Sequence, residues 1–149
     1  MSELAQIEAV IFLQSVDLFR FCKAEEILRI AAIARERSFD QDERIYGVGD
    51  AADTLYCVVR GMVRLEAADG ERQRVPPLHT FGVSEILSGR LRTSGATAEM
   101  ETLVLAIDAE DFFDLLANNI EIVKALFRQL FHDGSGALPA RSGAREVPR

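Results

Sequence analysis

The hydrophobic period of this chain changes twice, and the two changes divide it into three parts. Over residues 3–13 the side chains Leu4, Ile7, Val10 and Ile11 recur at helical spacing. Over residues 24–36, Ile27, Ile30, Ala31 and Ala34 follow the stripe of an amphipathic helix. After Arg37 that stripe stops. Thr54-Leu55-Tyr56-Cys57-Val58-Val59 and Met62-Val63-Arg64-Leu65-Glu66-Ala67 are short runs rich in β-branched and aromatic residues, separated at Gly61. Gly47-Val48-Gly49-Asp50 reads as a turn, and Asp69-Gly70 as a hairpin into a strand over residues 72–75 that Pro76-Pro77 ends. Residues 82–87 form a short helical turn among strands, with further strands at 96–98 and 102–107. Helical spacing returns at Asp108, read as an N-cap with Asp111 supporting the helix dipole, and closes with Ile122/Val123, Leu126/Phe127 and Leu130/Phe131. This order predicts an α+β domain over residues 3–132: a small double-stranded β-helix or jelly-roll barrel flanked by N-terminal helices and a C-terminal helical pair. Residues 133–149 are rich in Gly, Ser, Pro, Ala and Arg without periodicity and read as a disordered tail.

Charge and composition narrow the function. The net charge is −7, and the last 17 residues set three arginines against Asp133 and Glu146, which leaves −8 on the first 132 residues. Nucleic-acid binders work by neutralising phosphates, so a chain this acidic is not expected to wrap a duplex. The arginines at 60, 64, 72, 74, 90 and 92 leave room for local anion binding. No apolar run approaches the roughly 20 residues of a membrane span, and Glu3 and Glu8 flank the first apolar stretch where a secretory signal would be basic. Cys22 and Cys57 are too few for a disulfide framework, and buried reduced thiols fit a cytoplasmic location. The two histidines, His79 and His132, lie in different elements. With no metal-ligand cluster and no nucleophile–base pairing, the chain reads as a non-enzyme without a metal or cofactor.

The segment that carries chemistry is the short helix together with Arg92-Thr93-Ser94. A helix N-terminus offers N–H groups that lack intrahelical partners, and Gly82 permits close approach to the backbone. Arg92 can make a two-pronged contact with a phosphate, and Thr93 can add a hydroxyl. Gly82, Val83, Ser84, Arg92, Thr93 and Ser94 are therefore the candidate ligand-binding residues.

Several motifs in one order resemble the cyclic nucleotide-binding domain family, as found in sensors of the catabolite-activator type, from about Ile7 to His132. They are Phe12-Leu13-Gln14-Ser15-Val16-Asp17-Leu18-Phe19; Gly49-Asp50 with Leu55-Tyr56-Cys57-Val58 and Gly61-Met62-Val63; Phe81-Gly82-Val83 followed by Arg92-Thr93-Ser94; and residues 102–112. The resemblance implies a regulatory barrel that binds cAMP or cGMP, with Arg92 on the cyclic phosphate, Thr93 beside it and the N–H groups around Gly82, Val83 and Ser84 as an anion cradle. It also implies an attached or partner effector, and a homodimer formed through the C-terminal helix. Only 17 residues follow His132, so no helix-turn-helix domain is expected in this chain.

The chain departs from the family's pattern at Val83, where the family has a glutamate that accepts the ribose 2′-hydroxyl. Valine has no acceptor, a loss of about 1.5–3 kcal/mol, or roughly 10- to 150-fold in affinity. Glu85, two positions on, is turned by about 200° and is expected on the other face of the helix. Ala52 and Leu78 stand where the family usually has glycines. The expectation is a sensing module of weakened affinity, or alternatively a degenerate domain that binds no cyclic nucleotide and serves as a structural or protein-interaction module.

Overall fold

The structure is a computed structural model and describes residues 4–132; the expected tail over 133–149 and residue 3 lie outside the described residues. Helix α1 (Gln6–Gln14), a 3-10 turn (Asp17–Phe19) and helix α2 (Ala24–Ala32) precede the strands. Among the described residues the eight strands are β1 (Ala34–Phe39), β2 (Arg44–Tyr46), β3 (Thr54–Arg60), β4 (Val63–Ala67), β5 (Arg72–Val75), β6 (Thr80–Phe81), β7 (Ser94–Ala98) and β8 (Thr102–Asp108). Helix α3 (Val83–Ser88) lies between β6 and β7, while α4 (Ala109–Ala117) and α5 (Ile120–Leu130) follow β8. The strands form two antiparallel four-stranded sheets, ordered β1-β8-β3-β6 and β2-β7-β4-β5. This is the expected α+β jelly roll with helices at both ends.

Two cores explain the apolar runs. Between the sheets lie Tyr56, Val58, Val104 and Ala106 of the first sheet with Val63, Val75, Ala96 and Ala98 of the second. On the other face of the first sheet, Leu55, Cys57, Leu105 and Ile107 pack against Leu13, Phe19, Ile27, Ile30, Phe112, Ile122 and Leu126. Strands β3 and β8 are thus covered on both faces, which is why they read as unbroken apolar runs rather than alternating ones. In the second sheet β4 alternates apolar and polar side chains, Val63-Arg64-Leu65-Glu66, and its outward side is left partly exposed. Gly61, between β3 and β4, has φ +104°, and a Cβ there would lie 2.4 Å from Thr102 Oγ1 and 2.7 Å from the Glu101 carbonyl oxygen. Only glycine meets both demands.

Two local expectations are corrected. The second helix ends at Ala32, not at residue 36, because Ala34 to Phe39 pair along their length with Ile107 to Thr102 of β8. Ladder pairing overrides the helix-forming tendency of Ala34-Arg35-Glu36-Arg37. Asp108 does occupy the N-cap position of α4, but its carboxylate makes no capping bond. It accepts from Arg35 Nη1 at 2.7 Å instead.

Candidate functional site

The site is organised around Arg92, which lies in the connection between α3 and β7. Its backbone is held by the turn that β2 leads into: Arg92 N donates to the Asp50 carbonyl at 2.9 Å, and Gly49 N donates to the Arg92 carbonyl at 2.8 Å. The turn is closed by Gly47 N donating to Asp50 Oδ2 at 2.8 Å. The side chain then runs inward until 2% of the residue is exposed. Its guanidinium carbon stands 4.1 Å from the centroid of the Tyr46 ring, which stacks with Tyr56, and Tyr56 in turn stacks with Phe81. A planar cation over an aromatic face in a dry setting is a strong anchor.

The guanidinium is bonded from three sides. Nη1 donates to the Gly82 carbonyl at 2.7 Å and to Glu85 Oε1 at 3.2 Å, and Nη2 donates to the Thr54 carbonyl. Nε is buried without a hydrogen-bond partner. The other oxygen of the same carboxylate, Glu85 Oε2, accepts from Thr93 Oγ1 at 2.7 Å and from Thr93 N at 3.4 Å. One buried carboxylate therefore bridges the two groups that the resemblance assigns to a phosphate. Burial alone would push the Glu85 carboxyl up, but the Thr93 hydroxyl, the nearby N–H groups and the Arg92 charge outweigh it. Its pKa lies below the ordinary carboxylate value, so Glu85 is an anion at neutral pH.

The structure places the sequence-chosen residues unequally. Arg92 and Thr93 meet at Glu85. Gly82 has φ +82°, and a Cβ there would stand 3.0 Å from Arg92 Nη1, so this glycine makes room for the arginine itself. Val83 packs against the helix-side core. Ser84 accepts from Ser88 Oγ through its carbonyl, and Ser94 opens β7 opposite Ala67. Helical rotation does separate Val83 from Glu85, as expected, but the face that Glu85 reaches is the one presented to Arg92. Glu85, Tyr46, Tyr56 and the Thr54 carbonyl are the site groups that sequence reasoning passed over. The seven-residue interval between an acid on a short helix and a following arginine was the available signal for Glu85.

Beside Arg92 opens a cavity of about 830 Å³, within the range of small-ligand sites. Tyr46, Tyr56, Arg92 and the segment from Asp50 to Thr54 line it, with Arg35 and Arg37 of β1 also on its wall. Gly82, Val83, Ser84, Thr93 and Ser94 are not among its lining residues. Among the described residues no group of three or more His, Cys, Asp or Glu side chains gathers where it could hold a metal ion, and no helix is long and apolar enough to cross a membrane.

Comparison with known proteins identifies the fold and the family. The chain is 24% identical over 122 residues to the cGMP-dependent 3′,5′-cGMP phosphodiesterase A of Dictyostelium discoideum, covering 82% of this chain but 14% of that enzyme. The N-terminal domain of a transcriptional regulator from Streptomyces coelicolor A3(2) superposes with a TM-score of 0.72 at 25% identity, over 87% of this chain and 98% of that domain. The regulatory subunit of a cAMP-independent protein kinase A from Trypanosoma brucei superposes with a TM-score of 0.73 at 16% identity, over 84% of this chain and 45% of that one. A triple variant of the same subunit, with Glu→Ala, Thr→Arg and Val→Ala replacements, is bound to cAMP in its A site (TM-score 0.68, 17% identity, 88% and 51% coverage). Residues 36–119 match the cyclic nucleotide-binding domain as a family. With the match spanning both sheets and the Arg92 cassette, this chain belongs to the cyclic nucleotide-binding domain family.

Proposed function

We propose that this domain is a regulatory module whose phosphate-binding cassette is latched by its own Glu85, so that cAMP and cGMP bind weakly. The observation that carries this reading is the bridge from Glu85 to both Arg92 (3.2 Å) and Thr93 (2.7 Å). A cyclic phosphate would have to displace a tethered carboxylate that is already desolvated and hydrogen-bonded, and a tethered group competes at high effective concentration. Val83 adds to the effect, since it offers a ribose hydroxyl no acceptor. The Trypanosoma brucei variant supports the reading by spacing. The glutamate removed there stands seven residues before the position made arginine, the interval that separates Glu85 from Arg92.

The experiment is isothermal titration of the full chain and of Glu85→Ala with cAMP and cGMP. The expected result is little or no heat with the wild type below about millimolar ligand, and binding tightened by about 10- to 150-fold in the variant. Tight binding by the wild type would refute the latch. No binding by either protein would favour a module that works only through protein contacts. A homodimer through the C-terminal helix belongs to the same reading. Ile122 and Leu126 of α5 face the core, while Phe127 stays 60% exposed and Phe131 46%. A strict monomer by light scattering at high concentration would remove the homodimer.

A further inference from the structure

The outward face of the second sheet carries charges that neither the core nor the cassette uses. Val63 and Leu65 of β4 turn toward the core, so Arg64 and Glu66 turn outward. Arg64 lies directly opposite Arg74 of β5 on one side and Thr97 of β7 on the other, and Thr97 lies opposite Arg44 of β2. Arg44, Arg64 and Arg74 thus stand in one row across the strands, with Arg72 on the same face opposite Glu66. The carboxylates there only partly answer them. Glu99 takes Arg74 at 2.8 Å, while Glu66 is shared at 3.9 Å with Arg64 and 3.6 Å with Arg72. Arg64 Nε is buried without a hydrogen-bond partner, and no hydrogen bond or ion pair ties the Arg44 side chain to another described residue.

Like charges directly opposite on neighbouring strands weaken a sheet, and so does a buried donor without a partner. A bound anion offsets the like-charge cost. We propose that this row docks an acidic helical segment of a partner protein. Arg64 and Arg74 are one strand apart, about 4.8 Å, and Arg44 and Arg64 are two apart on either side of Thr97, so a helix laid across the strands meets them with carboxylates one and two turns apart, at about 5.4 Å per turn. Guanidinium groups take carboxylates in two-pronged fashion. A short acidic segment also suits a cationic row on a chain whose net charge is −7. A long polyanion or an anionic membrane would extend past the row and meet the acidic remainder.

The test is fluorescence anisotropy of the full chain with a labelled alanine-based helical peptide carrying glutamates at four-residue intervals. Saturable binding is expected, falling about tenfold or more between about 50 and 200 mM salt as screening grows. The Arg44→Gln/Arg64→Gln variant should lose that binding by about tenfold or more, with an unchanged or higher urea midpoint, since a like-charge contact is relieved. Equal binding by the variant overturns the proposal, and so does a lowered midpoint, which would make the row structural. Tighter binding to a duplex oligonucleotide or to phosphatidylserine vesicles assigns the row to another partner. Salt-labile self-association abolished in the variant assigns it to a second copy. Either result overturns the acidic-helix assignment.

Discussion

Replacing Glu85 by alanine should weaken the fold while opening the cassette, and the two effects can be measured on one sample. The substitution removes the contact to Arg92 at 3.2 Å and those to Thr93 at 2.7 and 3.4 Å. It leaves a guanidinium whose side chain is 1% exposed. Removing one partner of a buried ion pair typically costs about 3–5 kcal/mol, most of it the burial of the charge left behind. Here Arg92 keeps the Gly82 and Thr54 carbonyls and the Tyr46 ring, and the cavity beside it admits water. The expected loss is therefore at the low end, about 3 kcal/mol. Equilibrium urea unfolding with a slope near 2 kcal/mol/M should show a midpoint lower by about 1.5 M. Glu85→Gln keeps the acceptor but not the charge and should fall between the two proteins. The freed Arg92 and Thr93 then become ligand groups. Cyclic AMP at about 100 times the dissociation constant of the alanine variant should return about 2.7 kcal/mol to that variant, and only about 0.3–1.4 kcal/mol to the wild type at the same concentration. A midpoint shift under about 0.3 M would refute the claim that Glu85 is a structural counter-ion. Equal stabilisation of both proteins by ligand would refute the claim that it competes with phosphate.

The latch also has a pH signature. Because the Glu85 pKa in the folded protein lies below its ordinary value of 4.5, the unfolded chain binds that proton more readily. The stabilisation is complete above the ordinary value and disappears as pH falls through the lower folded value. The stability difference between wild type and Glu85→Gln should be flat near neutrality and collapse only in acid; a collapse above about pH 6 would contradict the assignment. Gly82→Ala forces a Cβ into a left-handed residue 3.0 Å from Arg92 Nη1 and should cost about 1–3 kcal/mol in urea unfolding; a neutral result would show that the Gly82 turn does not constrain Arg92. Burial pushes the Cys22 thiol up to about 11 and the Cys57 thiol higher still. In a thiol-titration assay at neutral pH, Cys22 should react slowly and Cys57 only on unfolding. Fast modification of both would mean that the helix-side core opens readily.

Much of the architecture was open to inspection in the sequence because each signal was local. The helical stripes, the glycine- and proline-punctuated runs and the Asp69-Gly70 hairpin each report on a few neighbouring residues, and together they specify a helix-flanked jelly roll. Motif spacing likewise placed Arg92 and Thr93 beside the short helix. Where the decisive partner was distant in sequence, local reasoning went astray. Ala34 to Arg37 favour a helix until β8 pairs with them, and Asp108 suits a cap until Arg35 reaches it. The arginine row is invisible in the sequence, since Arg44, Arg64 and Arg74 become neighbours only through sheet register.

Glu85 shows where the boundary falls. Helical geometry told from the sequence that Val83 and Glu85 face opposite ways, but only the tertiary structure decided which of them faces Arg92. The rotation of α3 is set by contacts from outside it. Arg92 is pinned by the Asp50 turn, the Thr54 carbonyl and the Tyr46 ring, and Val83 is drawn into the helix-side core. The sequence by itself determined a cyclic nucleotide-binding barrel with an arginine in its cassette. Long-range packing, which brings a charge and its counter-ion together out of water, decided that the arginine is already held by a carboxylate of its own chain.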